Sequence, residues 1–146
     1  VAGTLDFGSG GLDAGGRTFP ITVTSSVTSY PFSVVQGRWA GSVGIVPTSS
    51  PFPVDGSEVR MWWSTTQGGS ALGAACSGNL GSEGFLYWDQ TGEQGYGCAI
   101  PNQDTTLFLN VRLCISSRTD TTCSSSAAQF TGATAPVYIR GLKNQI

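Results

Sequence analysis

The 146 residues are enough for one domain with a sizeable core and too few to expect two. Charged residues make up 11% of the chain, against about a quarter in a typical soluble domain, and seven basic and nine acidic side chains leave a net charge of -2. Basic residues scattered singly exclude the electrostatic footprint of a nucleic-acid binder. No polybasic or amphipathic surface helix is present, and no run approaches the roughly 18 apolar residues that span a bilayer, so membrane insertion is not expected.

In place of Lys and Glu the chain carries 21 glycines and abundant Ser and Thr, which give a neutral surface of the kind that suits extracellular proteins. It starts at Val1, and the expectation is of a processed chain whose signal peptide is gone.

In chain order, Val1, Leu5 and Phe7 alternate loosely ahead of the glycine-rich stretch 8–16. Residues 1–16 read as a flexible or subunit-exchanging arm. The stretch 1–7 can add as a strand to a neighbour's sheet edge, and pairing in the chain's own sheet or fraying is an equal expectation. Strands are predicted at 18–24, 33–35 and 42–46. After the turn signal Pro53-Val-Asp-Gly56, Val59, Met61 and Trp63 alternate with Arg60, Trp62 and Ser64, which sends Trp63 inward and Trp62 outward. A strand at 85–89 contains adjacent Tyr87 and Trp88, one of which must leave the core.

The clearest alternation follows: Leu107, Leu109, Val111, Leu113 and Ile115 share one face, and Phe108, Asn110, Arg112 and Cys114 the other, as in a central strand. A last strand is predicted at 136–140. Turn clusters separate these segments, and no stretch free of Gly or Pro carries apolar residues at helical spacing. The reading is one all-β domain over 1–146, a single antiparallel β-sandwich of jelly-roll or immunoglobulin-like type with negligible helix.

Four cysteines, an even number, point to disulfides and an oxidising compartment, hence to a secreted or surface-exposed chain. Cys114 and Cys123 bracket a short polar segment and are paired here. Cys76 and Cys98 remain, flanking the aromatic stretch 85–88, and a bond between them ties its two ends together. Sequence allows three pairings. A zinc site is not expected, since the chain has no CxxC spacing and no histidine.

The missing histidine also removes Ser-His-Asp and Cys-His chemistry. Paired carboxylates are the surviving enzymatic option. The candidates Asp55, Glu58, Glu83, Asp89 and Glu93 lie in or beside turns, where Asp bonds its own backbone. No catalytic residue, metal or cofactor is assigned, and no EF-hand-like spacing supports calcium. The glycine clusters lack a phosphate-loop pattern and read as turns.

Two binding roles remain. Sugars are held by flat aromatic faces beside planar polar groups, and Trp62, Tyr87, Trp88, Asp89 and Tyr96 supply such groups at or near strand ends, against the competing pull of aromatic side chains into a β core. An outward Trp is explained by a covering loop, a ligand or another subunit. A neutral, hydroxyl-rich surface meets little like-charge repulsion in self-association. The expected role is therefore a non-enzymatic structural or adhesive protein, a subunit of a surface filament or pilus-like assembly, with Val1, Leu5 and Phe7 as contacts. A carbohydrate-binding, lectin-like module is the alternative, and a phage or virus surface protein is a further one.

The segment Gly97-Cys-Ala-Ile-Pro-Asn-Gln-Asp-Thr-Thr-Leu-Phe-Leu-Asn-Val-Arg112 resembles a stretch of uncharacterised exported bacterial β-sandwich proteins, with a Gly-Cys, a turn and a Leu-Asn-Val strand in succession. It covers only those residues and implies a bacterial exported protein. Gly3-Thr-Leu-Asp-Phe-Gly8 is similar to a stretch in spore-coat-U-like and related pilin domains, but lacks the cysteine that accompanies it there.

Overall fold

A computed structural model describes residues 3–5, 17–23, 26–34, 36, 40–45, 57–80, 85–90, 97–115 and 134–142. Nine strands lie among them: β1 (Gly3–Leu5), β2 (Arg17–Thr22), β3 (Thr28–Val34), β4 (Ala40–Ile45), β5 (Ser57–Ser64), β6 (Ser77–Leu80), β7 (Phe85–Asp89), β8 (Thr105–Ile115) and β9 (Thr134–Leu142). They form two packed sheets. Sheet A has the order β1-β3-β8-β5-β6, and sheet B the order β2-β9-β4-β7. Every ladder is antiparallel except β1 with β3, which is parallel. The only helical turn among the described residues is a 3-10 turn, Ala74–Cys76.

β8 is central in sheet A because its alternation matches the period of a strand with one face in a core. Leu107, Leu109 and Val111 are buried, whereas the intervening Phe108 and Arg112 are half-buried. β5, beside it, buries Val59, Met61 and Trp63 on the same side, and β3 adds Phe32 and Val34. From sheet B come Ile21, Val43, Leu86 and Trp88.

Trp63 joins the two layers. Its ring meets Phe32 edge-on at 5.7 Å between centroids and Trp88 of the other sheet at 5.6 Å. Such geometry aligns ring edge with ring face and adds to the gain from burial alone, about 1.5–3 kcal/mol for a large apolar side chain. On the rung holding Trp88 stand Gly41 and Gly141. One large side chain thus shares its row with two positions that have none, so the indole enters the core without crowding a neighbour.

The Cys76–Cys98 bond is present, with the Cα atoms 4.7 Å apart. Cys76 ends the 3-10 turn that leads into β6 of sheet A. Cys98 belongs to a segment that lies alongside the end of β7 in sheet B, where Asp89 N donates to Cys98 O and Ile100 N to Asp89 O. The bond therefore staples one sheet to the other. Gly97, at φ +83, precedes Cys98, and a Cβ there would stand 3.3 Å from the Cβ of Ala75. A left-handed backbone and a close approach to the 3-10 turn both favour glycine at that point. The predicted Cys114–Cys123 pairing lies outside the described residues.

Several elements differ from the sequence reading. β3 begins at Thr28, five residues before the predicted 33–35 strand, and β6 was not expected. β2, β4, β5, β8 and β9 overlap the predicted strands with ends shifted by one or two residues, and β7 coincides with 85–89. Within the arm 1–16, residues 3–5 pair in the chain's own sheet, the alternative to exchange with a neighbour.

Each of three prolines stands where its strand is paired on one side only. Pro31 lies just beyond the three β3 residues that β1 covers, Pro20 is on edge strand β2, and Pro136 lies just past the last rung of β9 with β4. A residue without an N–H is tolerated at such places.

Candidate functional site

The outer face of sheet A carries an unusual polar centre. On β8, Asn110 points away from the core by alternation, yet it is fully buried. Its row across the sheet is Ser29, Asn110, Trp62 and Ser77. Residues 65–70, leaving the end of β5, return over this row. Gly68 N donates to Asn110 Oδ1 at 3.0 Å, and Ser29 Oγ donates to the same oxygen at 2.5 Å. Asn110 Nδ2 donates to Ser64 Oγ at 2.8 Å and to Trp62 O at 3.2 Å, with a longer approach to Phe108 O. Both ends of the amide are therefore engaged, as a buried amide requires.

The loop is shaped for this contact. Gly68 has φ +67, a conformation that suits glycine, and Gly69 N donates to Thr66 O at 3.0 Å to close the turn. A Cβ on Gly69 would collide with Thr66 Oγ1. Ser64 Oγ donates to Thr66 O at 2.6 Å, and Leu72 N to Trp63 O at 2.9 Å. Trp62 is half-buried beneath the loop, and its indole Nε1 donates to Gly69 O at 2.7 Å. Of the three explanations for an outward Trp, a covering loop is the one observed for much of its surface.

The adjacent row pairs Arg60 of β5 directly with Arg112 of β8, and Arg60 with Asn79 of β6. Both arginines are half-buried. Arg60 Nη2 donates to Ser77 Oγ at 3.1 Å, and Ser77 Oγ to Ala74 O at 3.1 Å, which anchors the guanidinium to the turn before β6. Glu58 occupies the next rung, opposite Cys114. Neither arginine was singled out from sequence, because their juxtaposition is a fact of register between distant strands.

The other sequence candidates disperse. Tyr87 is 40% exposed on the outer face of β7, an edge strand of sheet B, so it and Trp62 lie on different sheets. Trp88 is 2% exposed and packed on Trp63, so no face of its ring is open to a ligand. Asp89 is 1% exposed at the end of β7, with its backbone tied to the Cys98 segment. Burial removes both from a surface site. Leu5 falls in β1; Tyr96, Val1 and Phe7 lie outside the described residues.

Of the carboxylates weighed for catalysis, Glu58 is on sheet A and Asp89 on sheet B, while Asp55, Glu83 and Glu93 lie outside the described residues. No group of three potential metal ligands occurs among the described residues. No helix among them is long and apolar enough to cross a membrane. The arrangement places Trp62, Arg60 and Arg112 together on the outer face of sheet A, beside the loop 65–70.

The fold and its staple define a disulfide-linked β-sandwich. No family model, curated protein or solved structure matches the chain.

Proposed function

We propose that the chain is a non-enzymatic extracellular structural or adhesive protein that meets copies of itself through the edge of sheet A. The observation that carries this reading is the short cover on that edge. β1 pairs with Phe32, Ser33 and Val34 alone, and among the described residues no strand lies outside Thr28–Pro31. A three-residue parallel ladder is a weak closure, and an uncovered strand edge is a template for another chain. A segment like 1–7 of a neighbour can lie along β3 by strand addition, with the main chain supplying the bonds. The inter-sheet disulfide supports an oxidising compartment, and the low charge supports close packing of copies.

Size-exclusion chromatography with light scattering and negative-stain microscopy, under non-reducing conditions, tests this. The expected result is regular multimers that are lost when residues 1–7 are removed. A clean monomer at high concentration overturns self-assembly. A second reading, a carbohydrate-binding module, is favoured by Trp62, a half-buried aromatic ring held in one orientation by its bond to Gly69.

A further inference from the structure

We propose that Pro31 is the stop that holds β1 to three rungs, and that it thereby keeps the edge of sheet A open to strand exchange between copies. This rests on the reading of that edge as the contact between copies, and it names the residue that regulates the contact. Which backbone groups of β3 reach the edge follows from the ladders on its other side. Trp63 O accepts from Leu72 N and so points away from β8. Antiparallel pairs alternate between bonded and non-bonded, so Trp63 and Leu109 form a non-bonded pair, and Leu109, like Leu107 and Val111, turns its N–H and C=O toward β3. Their partners Tyr30, Phe32 and Thr28 meet them there. Ser29, Pro31 and Ser33 therefore turn their backbone groups the other way, to the side where β1 lies.

Ser33 stands opposite Thr4, and in a parallel ladder its N–H faces the Gly3 carbonyl and its C=O the Leu5 N–H. One step upstream the Pro31 carbonyl faces the Gly3 N–H. The next bond requires an N–H at position 31, and proline has none. The missing donor falls where the observed ladder begins, at Gly3 opposite Phe32. A strand donated by another copy in this register meets the same gap, because its bonds to β3 are the same. Of the uncovered residues Thr28–Pro31, Ser29 alone turns an N–H to the edge.

Pro31 thus shortens the ladder without abolishing it. A ladder one bond shorter opens more readily, by roughly tenfold for a hydrogen bond of ordinary net strength, and β1 must leave β3 before copies can trade it. The exchanged and closed forms make the same bonds to β3, so Pro31 acts on the rate of trading and leaves its equilibrium alone.

Pro31→Val and Pro31→Ala both restore the N–H, and the first also suits a strand. Amide hydrogen exchange of the full chain, read by NMR, is the first measurement. Exchange at Leu5 is expected to slow by roughly tenfold in each variant, with the restored amide at position 31 protected. The second measurement mixes isotopically light and heavy copies under non-reducing conditions and follows mixed multimers by native mass spectrometry. Mixing is expected to be about tenfold slower in both variants, with the same final distribution as the parent.

Unchanged exchange at Leu5 in both variants, or an unprotected amide at position 31, overturns the proposal. Mixing at the parent rate overturns it too, and leaves the assembly reading standing. A parent that forms no multimers removes the assembly reading and strand exchange with it, while slowed exchange at Leu5 in the variants would still support Pro31 as the stop.

Discussion

The inner and outer faces of sheet A each carry a tryptophan, adjacent on β5, and different forces hold the two. Trp63 is fully buried and touches Phe32 and Trp88 through ring contacts, and its Nε1 makes no hydrogen bond among the described residues. The gain from apolar burial and ring packing outweighs an unmet donor that costs about 1–3 kcal/mol. Trp62 is half-buried and its Nε1 is bonded. The inner face relies on area, which is non-directional, while the outer face relies on directed bonds converging on Asn110. Area fixes how tightly the sheets pack; directed bonds fix where a loop lies. The first serves stability, and the second presents a surface in one shape.

Substitutions can break this contrast in order of size. Trp63→Ala removes the ring that joins the sheets and is expected to cost about 3–5 kcal/mol in denaturant unfolding. An equal loss in Trp62→Ala would erase the distinction between the faces. Asn110→Ala deletes the bonds to Ser29, Gly68, Trp62, Ser64 and Phe108 and is expected to cost about 2–3 kcal/mol. Its distinguishing sign is faster amide exchange at Gly68, with the near-ultraviolet dichroism of the Trp63 cluster retained. Trp62→Phe keeps a ring but loses the bond to Gly69 O, an acceptor near water. A cost of about 1 kcal/mol is expected, with increased proteolytic cleavage at residues 65–70 as the measurement.

How far sequence reached depended on whether a feature is local. The alternation through 107–115 is local, so the centre of sheet A, the inward turn of Trp63 and the outward turn of Trp62 were all legible. So was the choice between Tyr87 and Trp88 that one of them must make. β6 was not legible, because Ser77-Gly-Asn-Leu80 has neither alternation nor β-branched residues, and β5 templates it from outside. β3 hid behind Pro31, which reads as a breaker until the end of β1 shows that its position lies beyond a paired edge.

The site was less legible still. Asn110 looked like one more outward polar residue, since nothing in its neighbourhood announces a loop from another strand closing over it. Arg60 and Arg112 each sat in a recognised strand, but only register reveals that they face each other. Asp89 looked exposed because aspartate favours turns, and it is buried because the Cys98 segment lies alongside it.

The staple between Cys76 and Cys98 has a mechanical meaning. The two residues are 22 positions apart in sequence, yet their Cα atoms stay within 4.7 Å of each other. A pull on the two ends of the chain therefore passes through the sulfur bridge and bypasses β6 and β7. At roughly 3.3–3.6 Å per extended residue, about 75 Å of chain is withheld from stretching. Of the five strands of sheet A and four of sheet B, one from each lies inside this shielded segment. A domain under tension would thus yield in the strands outside the bridge, while the edge strands β6 and β7 within it stayed shielded and the two layers stayed linked.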